Sequence, residues 1–485
     1  MALNHVGKHL AAFASLLLLF ASDAAIASNG VPTSNANVNQ TFLAAEQVCN
    51  SNIRAYQAGA LSQPQRVLMA GASYPAPFTR DGSINAWNGV DLVIPGVGKN
   101  TLLSLLTPQG DQVQLGRRPF DEVIWVPAAW SEYLYSGDSG FLRTAFVASV
   151  NTVKSLEVSS FDSDLGLFRG PGVSCDVTSG FPDRYDSPDS PTSRMHSLSL
   201  NCTYYAAYKT LELMARELKQ KDSDDWAQKA DALKNKINEK FWDEQNGMYR
   251  YIVDIEGGDD SQEALGIAFA ILYNIADPEK QKAIFNHVQI SKHGIAGLWP
   301  PFPRFARAGG FGNHSGLIWP FMQPFWAEAC KKAGRLDLFD SEFANLTRLC
   351  STDGWFYQSY DPVSGKPSGG IAAVGNNRVL PTGVRPYQSW TATAYLRIVL
   401  LDAVGMNFDT SGVKFEPHLP ATLSDLKING VHYHNSILNL HLEGQGSKIT
   451  KFLIDGKQGT GNRFPSNQKG THTIVIILGN AKASR

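Results

Sequence analysis

The feature that most constrains this chain is a pattern of paired helical segments that repeats six times between residues 39 and 405. In each repeat a loop leads to a polar residue, an apolar segment follows, and a more amphipathic segment returns after a short turn. The apolar segments indicate helices buried on all sides, and the amphipathic segments indicate helices with one charged face. Six such pairs predict two concentric rings of helices, an (α/α)6 barrel, with the amino ends of the inner helices at one face.

The positions of the predicted helices follow from this pattern. The inner helices are predicted to begin near Asp81, Asp121, Arg194, Gln262, Asn313 and Tyr387. The outer helices are predicted at 97–106, 139–156, 223–241, 278–288 and 336–349, and the segment 39–60 completes the ring. The loops that feed the inner helices are long, at 157–193, 243–261, 291–312 and 351–386. Because loops of this length in a compact domain are usually functional, we expect a binding pocket where they meet.

Segments of different character flank the predicted barrel, which spans 39–405. Residues 1–27 combine Lys8, a short apolar run and the sequence Ala25-Ile26-Ala27, which is typical of a secretory signal peptide cleaved after Ala27. We therefore expect a periplasmic or secreted protein. Residues 28–38 are polar and indicate a flexible lead-in. Residues 406–485 alternate apolar and polar positions between Gly and Asn turns, which predicts a small C-terminal β-sandwich. The predicted fold class is mainly α.

Composition argues against several kinds of partner. The chain has 43 Lys and Arg against 44 Asp and Glu, so a net charge of −1 gives no basis for binding nucleic acid or an anionic membrane surface. After the signal peptide, no apolar segment is long enough to span a membrane. Five Cys are too few for a disulfide framework, although Cys330 and Cys350 are placed to pair across adjacent helices. The common metal, phosphate-loop and dinucleotide motifs are absent from the sequence, so it predicts neither metal nor cofactor.

Six short motifs carry a resemblance to a known group of enzymes. They lie, in this order, at 79–82, 120–126, 263–266, 312–321, 388–392 and 415–420. Together they resemble the bacterial six-hairpin glycosidases, the (α/α)6 clan that includes glucoamylases, trehalases, debranching glucosidases and α-L-rhamnosidases. The likeness extends from about residue 40 to about residue 450. It implies a catalytic barrel that binds a carbohydrate substrate and hydrolyses its glycosidic bond, with an exo mode of action and inversion at the anomeric carbon.

The resemblance also implies where the catalytic acid lies. Glycoside hydrolysis usually needs two carboxyl groups on opposite sides of the bond, one a protonated acid and the other an ionised base. In such barrels the acid stands on the loop before the third inner helix, where this chain has Asp176 between Val173 and Val177. Burial by the two valines would raise the pKa of Asp176. Asp183 is the alternative acid, and a structural Asx turn is the alternative role for Asp176.

The catalytic base is less evident. Relatives place a Glu before a Tyr-Asp-Pro turn on the loop feeding the sixth inner helix, but this chain has Gln358 there. Because an amide does not take a proton from water at neutral pH, another carboxylate is needed. Glu122 and Glu263 are the preferred candidates, since both open predicted inner helices, and Asp361 is a third. A Glu in the first turn of a helix is also favoured by the helix dipole alone.

Other side chains at the inner helix starts are expected to bind sugar. Charged and amide groups there suit hydrogen bonds to hydroxyls, and indole rings suit stacking on pyranose faces, with core packing as the alternative role for the indoles. The candidates are Arg80, Asp81, Asp121, Trp125, His314, Trp319 and Gln358, with Trp355 as a further platform.

Two other classes of function stay open at this point. Polysaccharide lyases and sugar epimerases use a similar toroid, and His314, Tyr357 and Arg307 supply the residue types that a lyase needs. A non-catalytic sugar-binding protein would be compatible with Gln358. A hydrolase releases a new reducing end, a lyase releases a product that absorbs in the ultraviolet, and a binder releases neither. The sugar, its anomer and the oligomeric state leave no pattern in the sequence.

Overall fold

A computed structural model describes Thr33 and residues 35–114, 119–174, 178–185, 194–254, 257–374 and 378–479. The predicted signal peptide, most of the predicted lead-in and the candidate acid Asp176 lie outside the described residues.

Most of residues 36–403 are helical. The α-helices are α1 (Ala36–Asn52), α2 (Thr79–Trp87), α3 (Val97–Ser104), α4 (Pro119–Val123), α5 (Trp125–Ser136), α6 (Ser139–Ser160), α7 (Leu198–Glu217), α8 (Ser223–Phe241), α9 (Ala264–Leu272), α10 (Pro278–His287), α11 (Pro303–Arg307), α12 (Gln323–Lys332), α13 (Leu336–Ser351) and α14 (Ser389–Arg397). The π-helix Ile398–Ala403 continues α14, and short 3-10 turns lie at Val90–Leu92, Thr178–Gly180 and Asp183–Tyr185.

The inner helices close into a ring. In order around the ring, α2 packs on α5, α5 on α7, α7 on α9, α9 on α12, α12 on α14, and α14 returns to α2. Aromatic side chains meet in its interior, where the ring centroid of Phe269 lies 5.7 Å from that of Trp87 and 5.4 Å from that of Phe325. The predicted (α/α)6 barrel is therefore confirmed.

The two rings differ in burial as their sequences indicate. In the inner helix α9 every residue from Ala264 to Ile271 is buried. In the outer helix α8 the buried residues recur every three or four positions, at Trp226, Ala230, Leu233, Ile237 and Phe241, and the rest of the helix carries its charges. A helix with one apolar stripe buries that stripe against its neighbour and leaves the charged face to solvent.

Several predicted helix starts were wrong. The fifth inner helix begins at Gln323 rather than near Asn313. One reason is that Ile318 exchanges two backbone hydrogen bonds of 2.9 Å with Tyr360, which keeps this segment extended. A second reason is that Pro320 disfavours helical backbone at the residue before it. The third begins at Leu198 rather than near Arg194, since His196–Ser197 pairs as a strand. One helix end was also wrong: the N-terminal segment predicted as helix at 39–60 ends its helix at Asn52, and a hairpin begins at Ile53.

Short antiparallel strand pairs lie between the helices of the barrel. Their strands are β1 (Ile53–Tyr56) with β2 (Gln65–Leu68), β3 (Phe161–Asp162) with β4 (Leu167–Phe168), β6 (Trp242–Asp243) with β7 (Met248–Tyr249), β10 (Gln262–Glu263) with β11 (Leu298–Trp299), and β12 (Ile371–Val374) with β13 (Arg378–Pro381). A three-stranded sheet joins β5 (His196–Ser197), β8 (Ile252–Asp254) and β9 (Gly257–Asp259).

The C-terminal segment is a β-sandwich, as predicted. One sheet has the order β14 (Met406–Asp409), β15 (Gly412–Phe415), β20 (Arg463–Pro465). The other has the order β16 (Asp425–Tyr433), β17 (Asn435–Glu443), β21 (Lys469–Gly479), β18 (Lys448–Ile454), β19 (Lys457–Gln458), and β17 and β21 run parallel. Aromatic pairs such as Phe415 with Phe452, whose ring centroids are 5.7 Å apart, join the two sheets.

Two further sequence inferences bear on the fold. Cys330 and Cys350 are both buried free thiols, so the suggested disulfide between them does not form. In the part of the chain that the structure covers, each helix is too short or too polar to cross a lipid bilayer.

Candidate active site

A cavity of about 1020 Å³ opens at the face where the amino ends of inner helices meet. Its wall includes residues from the start of α2, from α4, and from the loops before α12 and α14. The polar side chains of the wall include Arg80, Asp81, Asp121, Asn313, Gln358 and Arg385. Four of the predicted sugar-binding residues, Arg80, Asp81, Asp121 and Gln358, therefore line one cavity.

A buried ion pair joins two of these residues. Arg80 Nη2 lies 2.6 Å from Asp121 Oδ1, and Arg80 Nε donates to the same oxygen at 2.7 Å. The two side chains are only 6% and 11% exposed, so each charge depends on the other for stabilisation. Arg80 Nη1 also donates to the backbone oxygen of Val173 at 3.3 Å. The pair thus ties α2 to α4 and to the segment that leads toward Asp176.

Asp81 is the third residue of α2 and is partly exposed to the cavity. It is not the N-cap, because Phe78 occupies that position with a φ of 51°. A positive φ is unusual for a residue with a side chain, and such backbone strain is often found at functional sites. Phe78 is 43% exposed, and its ring packs edge-on against Tyr74 at 5.7 Å. This local turn directs the first residues of α2 into the cavity wall.

The loop before α14 supplies the opposite wall. Gln358 N donates to the backbone oxygen of Arg385 at 2.9 Å, which holds the two cavity residues side by side. The guanidinium of Arg385 lies over the Tyr74 ring, 4.7 Å from its centroid. Next to them, the 45% exposed ring of Trp355 stacks on Tyr387 at 5.6 Å. The loop therefore combines an amide, a cation and an aromatic surface at the cavity and beside it.

The two preferred base candidates are less accessible than expected. Glu263 is fully buried, and it accepts from Ser199 Oγ at 2.6 Å and from Ser199 N at 2.8 Å. Burial raises the pKa of Glu263 to about 7, although the hydrogen bonds from Ser199 act to lower it. Glu122 lies in α4 and is 5% exposed. Neither residue lines the cavity. The expectation that Glu263 faces the pocket was wrong, because α9 presents it to α7 and the neighbouring loop instead.

The predicted stacking indoles are packed inside the protein. Trp125 is fully buried and its Nε1 donates to the backbone oxygen of Leu102 at 3.2 Å. Trp319 is 1% exposed, and its Nε1 donates to the backbone oxygen of Asn313 at 2.8 Å. His314 stacks on Trp319 with centroids 4.3 Å apart and is itself 2% exposed. Trp125 and Trp319 therefore have the core-packing role that was the alternative for the indoles. His314 is buried against Trp319.

The two reserve carboxylates have structural partners. Asp183 pairs with the cavity residue Arg304, at 2.7 Å between Oδ1 and Nη1. Asp361 accepts from Val363 N at 3.0 Å and from Ser364 N at 2.7 Å, which closes an Asx turn. Both carboxylates therefore hold loops rather than project into the cavity.

The cavity residues that sequence reasoning missed include Tyr74, Arg304 and Arg385. Tyr74 and Arg385 lie in irregular loops, and Arg304 lies in the short helix α11 between two inner helices, so periodicity carries no information about the direction of these side chains. Their one sequence signal is an Arg or Tyr close to a proline in a loop that feeds an inner helix. Within the described ranges, His, Cys, Asp and Glu side chains form no cluster that could hold a metal ion.

Comparison with models of protein families shows which kind of enzyme this chain resembles. Residues 177–402 match the model of the mannosylglycerate hydrolase MGH1-like glycoside hydrolase domain. The matched segment is slightly less than half of the chain and contains the inner helices α7, α9, α12 and α14. The match bears out the resemblance to the six-hairpin glycosidases that the motifs carry. No curated protein is similar enough in sequence to match the chain.

Several solved structures share the fold of this chain. A sialidase superposes with a TM-score of 0.66 at 14% identity, over 88% of this chain and 40% of that one. The GH78 family rhamnosidase of Bacillus sp. GL1 gives 0.59 at 17%, over 94% and 44%. The GH63 mannosylglycerate hydrolase from Thermus thermophilus, in complex with glucose, gives 0.54 at 14%, over 73% and 98%. The chain thus spans less than half the length of the first two structures.

Acidic groups are few in the cavity of this protein. Among the described lining residues the carboxylates are Asp81 and Asp121, and Asp121 is already paired with Arg80. Gln358 stands in the wall where the resemblance implies a base. Of these two carboxylates, Asp81 is the more exposed to the cavity.

Proposed function

We propose that this protein is exported and hydrolyses the glycosidic bond of an oligosaccharide or glycoside, acting from a chain end with inversion at the anomeric carbon. One observation carries the proposal: Arg80, Asp81, Asp121, Asn313 and Gln358 converge on one cavity at the amino ends of the inner helices. A pocket of about 1020 Å³ suits a few sugar units, which favours attack at an end of the substrate. The N-terminal sequence pattern supports export.

Asp176 remains our candidate for the general acid. It follows Val173 by three residues, and the backbone oxygen of Val173 accepts from the cavity residue Arg80. Three residues span at most about 11 Å, so Asp176 is within reach of the cavity. A general acid must hold its proton, and burial of a carboxyl group raises its pKa toward that state.

We assign the general base to Asp81 in preference to Glu122 and Glu263. Asp81 lines the cavity and is partly exposed, so water can reach its carboxylate. Glu122 is nearly buried, and both Glu263 oxygens accept hydrogen bonds from Ser199. The Asp81 carboxylate would take a proton from the attacking water while Asp176 protonates the leaving oxygen.

The charges of the wall favour a substrate with an acidic leaving group. Arg80 and Arg304 are paired with Asp121 and Asp183, whereas within the described part of the chain no carboxylate pairs with Arg385. One of the similar structures is a mannosylglycerate hydrolase in complex with Tris and D-glycerate. A carboxylate on the leaving group would be a natural partner for Arg385 in this protein.

The acid and base assignments are tested on a panel of aryl and natural glycosides. Wild type should release a new reducing end, and Asp176→Asn and Asp81→Asn should each lower kcat by about 10²-fold or more. Asp277→Asn is the matched control, because Asp277 caps the outer helix α10 and Asn also caps helices well. Equal turnover by wild type, Asp176→Asn and Asp81→Asn would refute the assignments.

The leaving-group assignment is tested with Arg385→Gln. A hydrogen bond to a charged group contributes about 1.5–3 kcal/mol, so KM should rise about 10- to 100-fold for mannosylglycerate and stay unchanged for an uncharged aryl mannoside. An equal rise for both substrates would contradict a role in recognising the carboxylate.

Gln358 at the implied base position favours a second candidate, a sugar-binding protein without catalysis. Calorimetric binding of a glycoside that is never cleaved would support this candidate over hydrolysis. A product that absorbs in the ultraviolet, without a new reducing end from water, would instead indicate a lyase.

A further inference from the structure

Glu263 has contacts that suggest a role other than proton transfer. It lies at the start of α9, fully buried, and both of its oxygens accept from Ser199 at the start of α7. The hydroxyl of Ser199 donates to Glu263 Oε1 at 2.6 Å, so the lone pairs of the same hydroxyl are directed away from Glu263. Glu263 therefore sets the orientation of the Ser199 hydroxyl.

The oriented hydroxyl holds the segment that leads to the candidate acid. Val173 N donates to Ser199 Oγ at 3.2 Å, and the backbone oxygen of Val173 accepts from Arg80 Nη1 at 3.3 Å. The peptide groups on both sides of Val173 are thus fixed, one by Ser199 and one by the cavity residue Arg80. Hydrogen bonds run without a break from Glu263 through Ser199 and Val173 to Arg80 and Asp121.

Gly172 shows how closely this segment approaches the pair. A Cβ atom at position 172 would lie 2.2 Å from Ser199 Oγ and 3.2 Å from Glu263 Oε1. A side chain at this position would force the backbone away from both groups. The segment is also held upstream, where Gly170 N donates to the backbone oxygen of Met195 at 2.7 Å and Ser197 Oγ donates to that of Gly170 at 3.1 Å.

We propose that Glu263 and Ser199 are positioning residues, which fix segment 170–174 against Arg80 and thereby set the geometry of the cavity without touching the sugar. The proposal rests on the proposed function, because the geometry it preserves is that of the hydrolytic site. Displacement of a catalytic group by about 1 Å can lower a rate by about 10²-fold, so loss of this support should reduce kcat more than it changes KM.

Glu342 provides a matched control for substitutions of Glu263. It is likewise buried, and it accepts from Ile295 N and from Gln323 Nε2, both at 2.8 Å. It lies in the outer helix α13, and none of these three residues lines the cavity. Glu263→Gln and Glu342→Gln therefore make the same chemical change in similar surroundings, but only the first alters contacts to segment 170–174.

The decisive experiment measures hydrogen–deuterium exchange in the peptide covering residues 166–174, together with kinetics. Exchange should become faster in Glu263→Gln and in Ser199→Ala, and stay at the wild-type rate in Glu342→Gln. The kcat on the best glycoside should fall about tenfold or more in the first two variants and remain near wild type in the third. The double variant should lose no more than the larger single loss, since both residues act on one contact.

The outcomes separate this proposal from the proposed function. Unchanged exchange of 166–174 in Ser199→Ala would overturn the positioning role, and so would an equal fall of kcat in Glu263→Gln and Glu342→Gln. Ser199→Ala keeps the test valid if Glu263→Gln does not fold. Absence of any turnover by wild type would refute the hydrolase, while the exchange measurement would still decide whether Glu263 and Ser199 hold the segment.

Discussion

Replacement of Glu342 by Gln tests whether the buried carboxyl groups of this barrel make its stability depend on pH. Glu342 is 1% exposed and has a backbone amide and an amide side chain as its hydrogen-bond donors. Burial raises its pKa from the ordinary 4.5 to about 7, against the lowering effect of these two hydrogen bonds. Gln has the same size and no charge, and rotation of the Gln323 amide can supply an acceptor to its new NH2 group.

The size and sign of the effect follow from linkage. Between about pH 4.5 and pH 7 the unfolded chain has lost the proton at position 342, whereas the folded protein still holds it. The folded state binds more protons in this range, so the free energy of unfolding falls as pH rises. A difference of about 2.5 pH units at about 1.4 kcal/mol per unit corresponds to a loss of about 3.5 kcal/mol, complete only above pH 7. The contribution of Glu342 to the free energy of unfolding is therefore most favourable below pH 4.5.

The assay is urea unfolding followed by tryptophan fluorescence, for wild type and Glu342→Gln, at pH 5 and pH 8. Glu46 and Glu263 also have pKa values raised to about 7 by burial, but they are present in both proteins and cancel in the comparison. Relative to wild type, the variant should gain about 2.5 kcal/mol of stability between pH 5 and pH 8. If the free energies of unfolding of the two proteins differed by the same amount at both pH values, the reasoning would be refuted.

Three further predictions address the core, the rim and the segment before Asp176. Phe269→Ala removes a fully buried ring from the barrel interior and should lower the free energy of unfolding by about 3–5 kcal/mol, measured by denaturant titration. Trp355→Ala should raise KM about 3- to 10-fold for substrates of three or more sugars and leave KM for disaccharides unchanged, because a stacking contact of about 0.5–1.5 kcal/mol is lost. Equal changes in KM for both kinds of substrate would exclude stacking on Trp355. Gly172→Ala should lower kcat as Ser199→Ala does, because its Cβ would displace the backbone from Ser199, and steady-state kinetics would detect this.

Local periodicity was sufficient to predict the barrel. Helix α8 spans the residues that its charge and apolar pattern indicated, Ser223–Phe241, because burial of one stripe is encoded every three or four positions. The predicted helix start near Asn313 was wrong, because Ile318 and its apolar neighbours form a buried extended segment paired with Tyr360. A short apolar run has the same composition in a strand and in a buried helix, so the sequence did not distinguish the two.

The site was predictable where its residues open helices. Arg80, Asp81 and Asp121 lie in first turns, and closure of the ring brings all such turns to one face, so their presence in the cavity follows from sequence. Gln358 was found by its place in a motif. Arg385 and Tyr74 were not found, since each depends on how two distant loops meet.

The sequence by itself thus determined the ring of helices and the face at which their polar starts assemble, because periodicity and helix starts are local properties. The tertiary structure alone decided which carboxylates reach the cavity. It enclosed Glu263 against Ser199 and left Asp81 accessible, although both were expected to face the pocket. The burial of a side chain depends on which loop packs over it, and that loop comes from a part of the chain which periodicity does not describe.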